Sequence, residues 1–178
     1  MIRLFLGLVL MLAFPAQLLM AAPQPYQDLE EDQLTQVVVQ KFPKQEKYAR
    51  LVVRYALWHE RQNPGLKWPK AKDILAVVSV ESGFNPEAVH PIGPSVGLMQ
   101  INAGAHKVSV SELKQIGPNM KRGYELLVYL RAKTRSDAEA LIAYNAGLGG
   151  MKSICKNSKK CVTTYVLKVS RAKQNFKG

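Results

Sequence analysis

Apolar residues recur at steps of three and four along most of the 178-residue chain, and this period restricts the fold more than any other feature. The clearest segment, 44–62, is expected to form an amphipathic helix that ends at Asn63-Pro64-Gly65. Hydrophobic residues make up 47% of the chain, enough for one sizeable core, and we find no repeats, heptads or credible strand pairs. We therefore predict a single, mainly α domain. The apolar face of 44–62 consists of Tyr48, Leu51, Val52, Tyr55 and Trp58.

The same period places the remaining helices. Three prolines make the segment 84–96 mostly loop. The apolar helix that begins at Asp137 is expected to break at the glycines from Gly147 to Gly150. The predicted helices cover residues 28–42, 44–62, 70–82, 97–103, 108–116, 119–134, 137–145 and 162–176.

The first 22 residues differ from the rest of the chain. Arg3 is their only charged residue, a long apolar run follows it, and the segment ends in small residues. This pattern is typical of a secretory signal peptide that is cleaved after Ala21 or Ala22, with an uncleaved membrane anchor as the alternative. We therefore expect a periplasmic or secreted protein.

The two cysteines agree with export, since only five residues separate Cys155 from Cys161. In an oxidising compartment such a pair is expected to form a small disulfide loop. A metal site would need a further soft ligand close by, and the three histidines all lie far away in the sequence. We expect a disulfide, no metal and no cofactor.

The formal net charge is +12, and the positive charge is concentrated at the C-terminal end, because no acidic residue follows Glu139. Such a surface attracts cell-wall polymer, anionic lipid or nucleic acid. Nucleic acid is disfavoured, because the sequence has no stacking platform, recognition-helix motif or zinc module. A solvated face that keeps the protein soluble is the simpler interpretation. The basic residues of this end are Lys152, Lys156, Lys159, Lys160, Lys168, Arg171, Lys173 and Lys177.

One carboxylate is expected to lie against hydrocarbon. Ile74, Val77, Val78 and Glu81 are spaced at i, i+3, i+4 and i+7 and share one helical face. A carboxyl group in such surroundings keeps its proton near neutral pH, which suits a general acid. A glutamate at a helix end that swings into solvent is the other interpretation, and this segment alone favours it.

Three short motifs follow one another from this residue onward, with a short Asn-x-x-x-Gly block at 119–123 between the second and the third. In this order and spacing they resemble the soluble lytic transglycosylase family, over roughly residues 68–170. The resemblance implies a lysozyme-like helical fold, with a leader and packing helices over 23–67 and a catalytic domain with a basic C-terminal helix over 68–178. The motifs are Glu81-Ser82-Gly83-Phe84-Asn85-Pro86-Glu87-Ala88, Gly97-Leu98-Met99-Gln100 and Ala143-Tyr144-Asn145-Ala146-Gly147.

The resemblance also implies an activity, the cleavage of the β-1,4 bond between N-acetylmuramic acid and N-acetylglucosamine in peptidoglycan. Glu81 matches the family's single catalytic acid and base, which first protonates the glycosidic oxygen. It then takes a proton from the muramyl C6 hydroxyl, which attacks C1 and leaves a 1,6-anhydro end. Hydrolases commonly use two carboxylates. Asp73 lies too far along its helix to be a second catalytic carboxylate, whereas Glu87 is still a candidate for that role. Periodicity places the other carboxylates on the surface, namely Glu112, Glu125, Asp137 and Glu139.

The substrate-side residues are also expected from the resemblance. Gln100 would contact a sugar, with a helix-capping role as the alternative. Gly97 would allow close backbone approach, and Leu98 would face the core. Tyr144 and Asn145 match the family's substrate-side pair. Tyr144 would lie near Glu81, with its hydroxyl orienting the carboxylate or a ring substituent, and the alternative for Tyr144 is a core aromatic whose hydroxyl is satisfied by backbone. Tyr165 resembles another cleft aromatic, although core packing explains it equally well.

The chain departs from the family pattern in one loop. The family's usual serine is replaced by His90, and the loop before the second motif is one residue longer. Ser95 is a candidate to replace the lost hydroxyl contact with an N-acetyl group. A role for His90 as a second base is less favoured than a structural or solvent-exposed one. Asn102 stands where many members have methionine.

These features predict a metal-free peptidoglycan lytic transglycosylase that serves a secretion, conjugation or pilus machine. Its basic end would contact the anionic wall or a membrane surface. A lysozyme-type muramidase is the alternative within the same substrate class. A non-catalytic wall-binding or assembly protein on the same fold is the alternative of a different class.

Overall fold

The computed structural model describes residues 28–156, 158 and 161–177; the predicted signal peptide lies outside them. The mainly α fold is confirmed. None of the described helices is long and apolar enough to cross a membrane. The elements are α1 (Leu29–Lys41), α2 (Glu46–Gln62), α3 (Ala71–Glu81), β1 (Ser95–Val96), β2 (Ile101–Asn102), α4 (Ala103–His106), α5 (Val110–Leu113), α6 (Ile116–Ala132), α7 (Asp137–Cys155) and α8 (Thr164–Gln174).

Helix α3 runs through the core. Ile74, Leu75, Val77 and Val78 are all fully buried, because the helix packs against both α2 and α8. The middle of the helix, residues 74–78, is apolar on every side, as expected for a segment in this position. The apolar run therefore carries Glu81 to the point where the core meets the surface.

The last helix is held along α3 by polar contacts at both ends. Lys173 pairs with the buried Asp73 in the first turn of α3, with 2.6 Å between Nζ and Oδ1. At the other end, the side chain of Tyr165 reaches Glu81. The two helices are therefore antiparallel, and the start of α8 lies at the end of α3.

The first helix is anchored on α2 by a buried carboxylate. Glu31 accepts hydrogen bonds from Arg50 at 3.0 Å and from Arg54 at 2.9 Å. The hydrogen bond from Arg54 contributes most to a pKa for Glu31 below its ordinary value. Leu34 and Val38 of the same helix belong to the common hydrophobic core, so α1 packs as part of the same body.

A small hairpin corrects two predictions. The sequence suggested a helix over 97–103 and no strand pairs, but β1 and β2 pair antiparallel, with Ser95 opposite Asn102. Between the strands, Gly97 and Gln100 have φ angles of 79° and 47°. These left-handed conformations are incompatible with an α-helix, so a tight turn forms instead.

Helix α7 confirms one prediction, extends another and corrects a third. It departs from helical geometry at Gly147, as predicted, but resumes and continues to Cys155, which forms the predicted disulfide with Cys161. Glu139 was expected on the surface and is buried instead. It accepts hydrogen bonds from the guanidinium of Arg135, four residues earlier, which compensates its charge.

Candidate active site

A cleft of about 400 Å³ opens beside the last turn of α3. Among the described residues that form its wall, Glu81 is the only carboxylate. The structure brings together most of the residues that the motifs predicted, although they come from α3, the hairpin and α7. The polar residues of the wall are Glu81, His90, Ser95, Gln100, Asn102, Tyr144 and Asn145.

Glu81 is partly buried and accepts one direct hydrogen bond. Removal from water raises the pKa of its carboxyl group, and a hydrogen bond from Tyr165 and the nearby His90 partly oppose that rise. The Tyr165 hydroxyl donates to Oε1 of Glu81, so Tyr165 touches the candidate acid rather than only filling the core. Burial also raises the pKa of Tyr165, which keeps this donor protonated. The carboxyl group is therefore held in place, and its pKa lies above the ordinary value.

The backbone that follows Glu81 is fixed to the hairpin. Ser82 Oγ donates to the carbonyl oxygen of Leu98 at 2.8 Å, and Leu98 is fully buried, as predicted. The first and second motifs are thus joined by a side chain that directly follows the candidate acid. This bond fixes the distance between the end of α3 and the opposite wall of the cleft.

Tyr144 lies near the candidate acid, as expected, but bonds to backbone. Burial and then the charge of Glu81 raise the pKa of Tyr144, while its hydroxyl donates to the carbonyl oxygen of Met99 at 2.6 Å rather than to Glu81, which is the backbone-satisfied alternative. The ring still lines the cleft together with Glu81. Tyr144 therefore holds the second motif in place through Met99, and Tyr165 is the tyrosine that donates a hydrogen bond to Glu81.

Gln100 presents one end of its amide to the protein. Its Nε2 donates to the carbonyl oxygens of Gly97 at 3.0 Å and Ala88 at 3.2 Å. Among the described residues, no partner accompanies its Oε1, so this oxygen can accept a hydrogen bond from a ligand in the cleft. The amide is thereby oriented before a ligand arrives.

Gly97 has a different neighbour from the one expected. Gly97 allows its backbone to pack closely against other parts of the protein, because a Cβ there would lie 2.3 Å from the carbonyl oxygen of Leu113 and from Nδ2 of Asn119.

Asn119 is fully buried and fixes the turn through three hydrogen bonds. Its Oδ1 accepts from the amide of Met99, and its Nδ2 donates to the carbonyl oxygens of Val96 and Leu113.

Two residues of the wall, His90 in the loop before the hairpin and Asn102 in β2, were not predicted as site residues from the sequence. Nδ1 of His90 accepts a hydrogen bond from the amide of Ile92 at 3.3 Å, so in the neutral ring the proton sits on Nε2. Asn102 reaches the wall because it lies opposite Ser95 in the hairpin. Ser95 and Asn102 come together through the register of two strands that are each two residues long. Strands this short show no periodic pattern in the sequence, so they could not be predicted from it.

The other candidate carboxylates lie elsewhere. Asp73 is at the opposite end of α3, paired with Lys173. Glu87 is exposed and pairs with Lys114 at 2.9 Å, and it does not line the cleft. Within the part of the chain that the structure describes, no group of three or more His, Cys, Asp or Glu side chains is placed to hold a metal.

Comparison with known families agrees with this geometry. The family model for the transglycosylase SLT domain matches residues 66–165, more than half of the chain. The chain belongs to the transglycosylase SLT domain family. This domain is lysozyme-like and mainly α, as observed here, and membership indicates lytic transglycosylase activity on peptidoglycan. The match contains all three motifs and Tyr165. Neither the curated proteins nor the solved structures include a match to this chain.

The hydrogen bond from Tyr165 to Glu81 predicts the effect of Tyr165→Phe in this SLT domain. Because the hydrogen bond from Tyr165 lowers the pKa of Glu81, its loss raises that pKa further. A general acid is active while protonated, so the alkaline limb of the pH–rate profile should move to higher pH. The maximal rate should fall on the order of 10-fold, because the carboxyl group loses its orienting partner. The profile is obtained by measuring the rate of fragment release from peptidoglycan at a series of pH values.

Tyr144→Phe is the matched control for this experiment. It removes a buried tyrosine hydroxyl from the same cleft, but one that donates to Met99 rather than to Glu81. Its alkaline limb should stay at the position found for the unmodified protein. If Tyr165→Phe leaves the limb in place, Tyr165 does not influence the titration of the acid.

Proposed function

We propose that this protein is a peptidoglycan lytic transglycosylase that cleaves the β-1,4 bond between N-acetylmuramic acid and N-acetylglucosamine and leaves 1,6-anhydromuramyl ends. Glu81 is both the acid and the base. This assignment is supported by the single carboxyl group among the described residues of the cleft wall, whose pKa is raised by burial, in a chain of the SLT domain family. Glycosidases that use water commonly need two carboxyl groups across the bond.

The proposed reaction balances without water. The Glu81 carboxyl gives its proton to the glycosidic oxygen, the bond from that oxygen to C1 breaks, and N-acetylglucosamine leaves with a new hydroxyl. The muramyl C6 hydroxyl then bonds to C1 as its proton passes to the Glu81 carboxylate. One carboxyl group thus ends in the protonation state in which it began, so no second acid or base is required.

The proposed reaction is tested by the ends that it leaves. The protein is incubated with purified peptidoglycan, and the released fragments are assayed for reducing sugars. A transglycosylase releases fragments without an equal number of new reducing ends, because the anhydro ring blocks C1. Release with one new reducing end per cleavage would assign the muramidase reaction instead.

We further propose that Ser95 and His90 bind the N-acetyl group that the family's usual serine would contact. Both line the cleft with Glu81, and the tautomer of His90 leaves an N–H donor on Nε2. Ser95→Ala should raise KM about 2–10-fold with little change in kcat, which is the effect of losing one neutral hydrogen bond to the substrate. His90→Asn keeps an N–H donor and serves as the comparison with His90→Ala. Unchanged KM in both Ala variants would contradict this assignment.

The place of action is also a proposal. We propose that the protein works in the periplasm, or after secretion, as the wall-opening enzyme of a secretion, conjugation or pilus machine. The signal-like sequence of residues 1–22 and the peptidoglycan substrate of the family support export. N-terminal sequencing of the protein recovered from the periplasm should begin at Ala22 or Pro23, whereas recovery of intact chain from the cytoplasm would contradict export.

The C-terminal end is proposed to contact the anionic wall or a membrane. Around the disulfide, exposed cations alternate with exposed aliphatic side chains, a combination that suits an anionic surface. Sedimentation with anionic vesicles and with purified wall, at low and high salt, distinguishes the two surfaces. Recovery with neither at low salt would contradict the proposal. The residues concerned are Lys152, Ile154, Lys156, Val162, Leu167, Lys168 and Arg171.

A further inference from the structure

A second cavity, of about 430 Å³, lies between α2 and the first turns of α6. Among the described residues, it has no lining residue in common with the cleft around Glu81. Its size is within the range of about 300–1,000 Å³ that is usual for small-molecule sites. Its wall combines the aromatic rings of Tyr55 and Trp58 with a histidine and charged side chains of α6.

The histidine of this cavity is an unsatisfied polar group. His59 is only 3% exposed, and its Nε2 has no hydrogen-bond partner among the described residues. Burial lowers the pKa of His59 to about 4, so the ring is neutral at pH 7. It is held between two aromatic rings, stacked on Tyr124 at 4.4 Å and edge-on to Trp58 at 4.8 Å. Because Nε2 is itself closed to solvent, the role of His59 here is to hold Trp58 in place through the ring contact, and a ligand would meet Trp58 and the charged side chains of the wall.

Trp58 is an exposed platform beside this group. Its side chain is 51% exposed, and it borders a second, apolar groove along α2 that also includes Leu51 and Arg54. A tryptophan that is apolar on its face and polar at its edge suits a ligand with both characters. Sugar rings have this character, because their C–H faces stack on aromatic rings while their hydroxyl and amide groups form hydrogen bonds at the edge.

The charges of the cavity also favour a sugar. They are balanced, because Arg122 pairs with Glu112 at 3.0 Å and Lys121 lies 3.9 Å from Glu125. A surface without excess charge gives no electrostatic preference for an acidic or basic peptide. The cavity wall offers hydrogen-bond donors and acceptors side by side, and the hydroxyl groups of a neutral sugar chain can bond to both.

We infer that the cavity beside Trp58 is a second glycan-binding site, which takes a β-1,4-linked N-acetylhexosamine segment of the polymer outside the catalytic cleft. This inference rests on the proposed function, in which peptidoglycan is the substrate. The site holds the protein on an insoluble polymer while the cleft binds the bond to be cleaved. It therefore increases the cleavage rate on long glycan strands and leaves the rate on short soluble fragments unchanged.

The test compares Trp58→Ala with Tyr129→Ala, which removes an aromatic side chain that is also 51% exposed, but on α6 outside the cavity. Each is placed in a Glu81→Gln background, and binding to purified peptidoglycan sacculi is measured by sedimentation. We expect Trp58→Ala to weaken apparent affinity about 10-fold and Tyr129→Ala to leave it unchanged. Lys121→Ala should weaken it in the same direction. Equal binding by Trp58→Ala and Tyr129→Ala would overturn the inference.

A second measurement separates this site from the cleft. With Glu81 intact, Trp58→Ala should release fragments from sacculi several-fold more slowly but cleave short soluble glycan fragments at the unmodified rate. If Trp58→Ala instead slows both equally, or changes the oligomeric state in sedimentation velocity, the surface is not a separate glycan site. Should the unmodified protein cleave neither substrate, the proposed function fails, while the sedimentation assay still decides whether Trp58 binds glycan.

Discussion

Glu81→Gln should abolish fragment release from peptidoglycan, with a fall of about 10²–10⁴-fold or more. The amide has nearly the same shape as the carboxyl group but cannot donate an acidic proton to a leaving oxygen or accept one afterwards. Because the proposed reaction uses this group twice, the substitution removes both steps. The rate is measured on purified peptidoglycan at the pH optimum of the unmodified protein.

The same variant should be more stable than the unmodified protein at neutral and alkaline pH. Burial raises the pKa of Glu81 in the folded state, so the folded state holds this proton more tightly than the unfolded chain. The unmodified protein therefore loses stability as pH rises from the ordinary carboxyl pKa through the raised one. Glu81→Gln avoids that loss, and the difference in Tm between the two proteins should grow with pH over this window.

Glu87→Gln is the control for the rate measurement. Glu87 is six residues away, exposed and paired with Lys114 outside the cleft. Its substitution should leave the rate of fragment release unchanged. Appreciable activity in Glu81→Gln, together with a loss in Glu87→Gln, would move the role of the acid to Glu87.

Asn119→Ala should have the largest effect on stability. Asn119 is fully buried, and its side chain satisfies the amide of Met99 and the carbonyl oxygens of Val96 and Leu113. Each buried group left without a partner costs about 1–3 kcal/mol, so the free energy of unfolding should fall by roughly 3 kcal/mol or more. Urea denaturation measures this change. Activity should fall as well, because the turn that carries Gln100 loses its support.

Asn102→Ala is the comparison for this prediction. Asn102 caps α4 through one hydrogen bond to the amide of Ala105, so its loss should cost only about 1 kcal/mol. If the two substitutions have similar effects on unfolding, the three hydrogen bonds of Asn119 do not act as the support of the hairpin.

The parts of this fold that sequence predicts well are its long amphipathic helices. The predicted segments 44–62 and 119–134 correspond to Glu46–Gln62 and Ile116–Ala132, because many residues contribute to each period. The hairpin at 95–102 was missed for the opposite reason: strands of two residues are too short to alternate. Its turn depends on left-handed residues and on Asn119, which lies about 20 residues further along the chain.

The candidate site shows the same division between local and distant information. The motifs placed Glu81, Gln100, Tyr144 and Asn145, which the structure brings to one cleft. The contact from Tyr165 to Glu81 joins residues 84 positions apart, and no local pattern distinguishes it from core packing. Which tyrosine touches the acid is decided by the packing of α8 on α3.

The most direct test of the account is mass spectrometry of fragments released from purified peptidoglycan in water enriched in heavy oxygen, with Glu81→Gln alongside. We predict muramyl ends that are lighter than the hydrolysed product by one water, contain no heavy oxygen and are absent with the variant. Reducing muramyl ends that carry heavy oxygen would mean that water attacks C1. Anhydro ends formed equally well by Glu81→Gln would contradict the central claim that Glu81 is the acid and base.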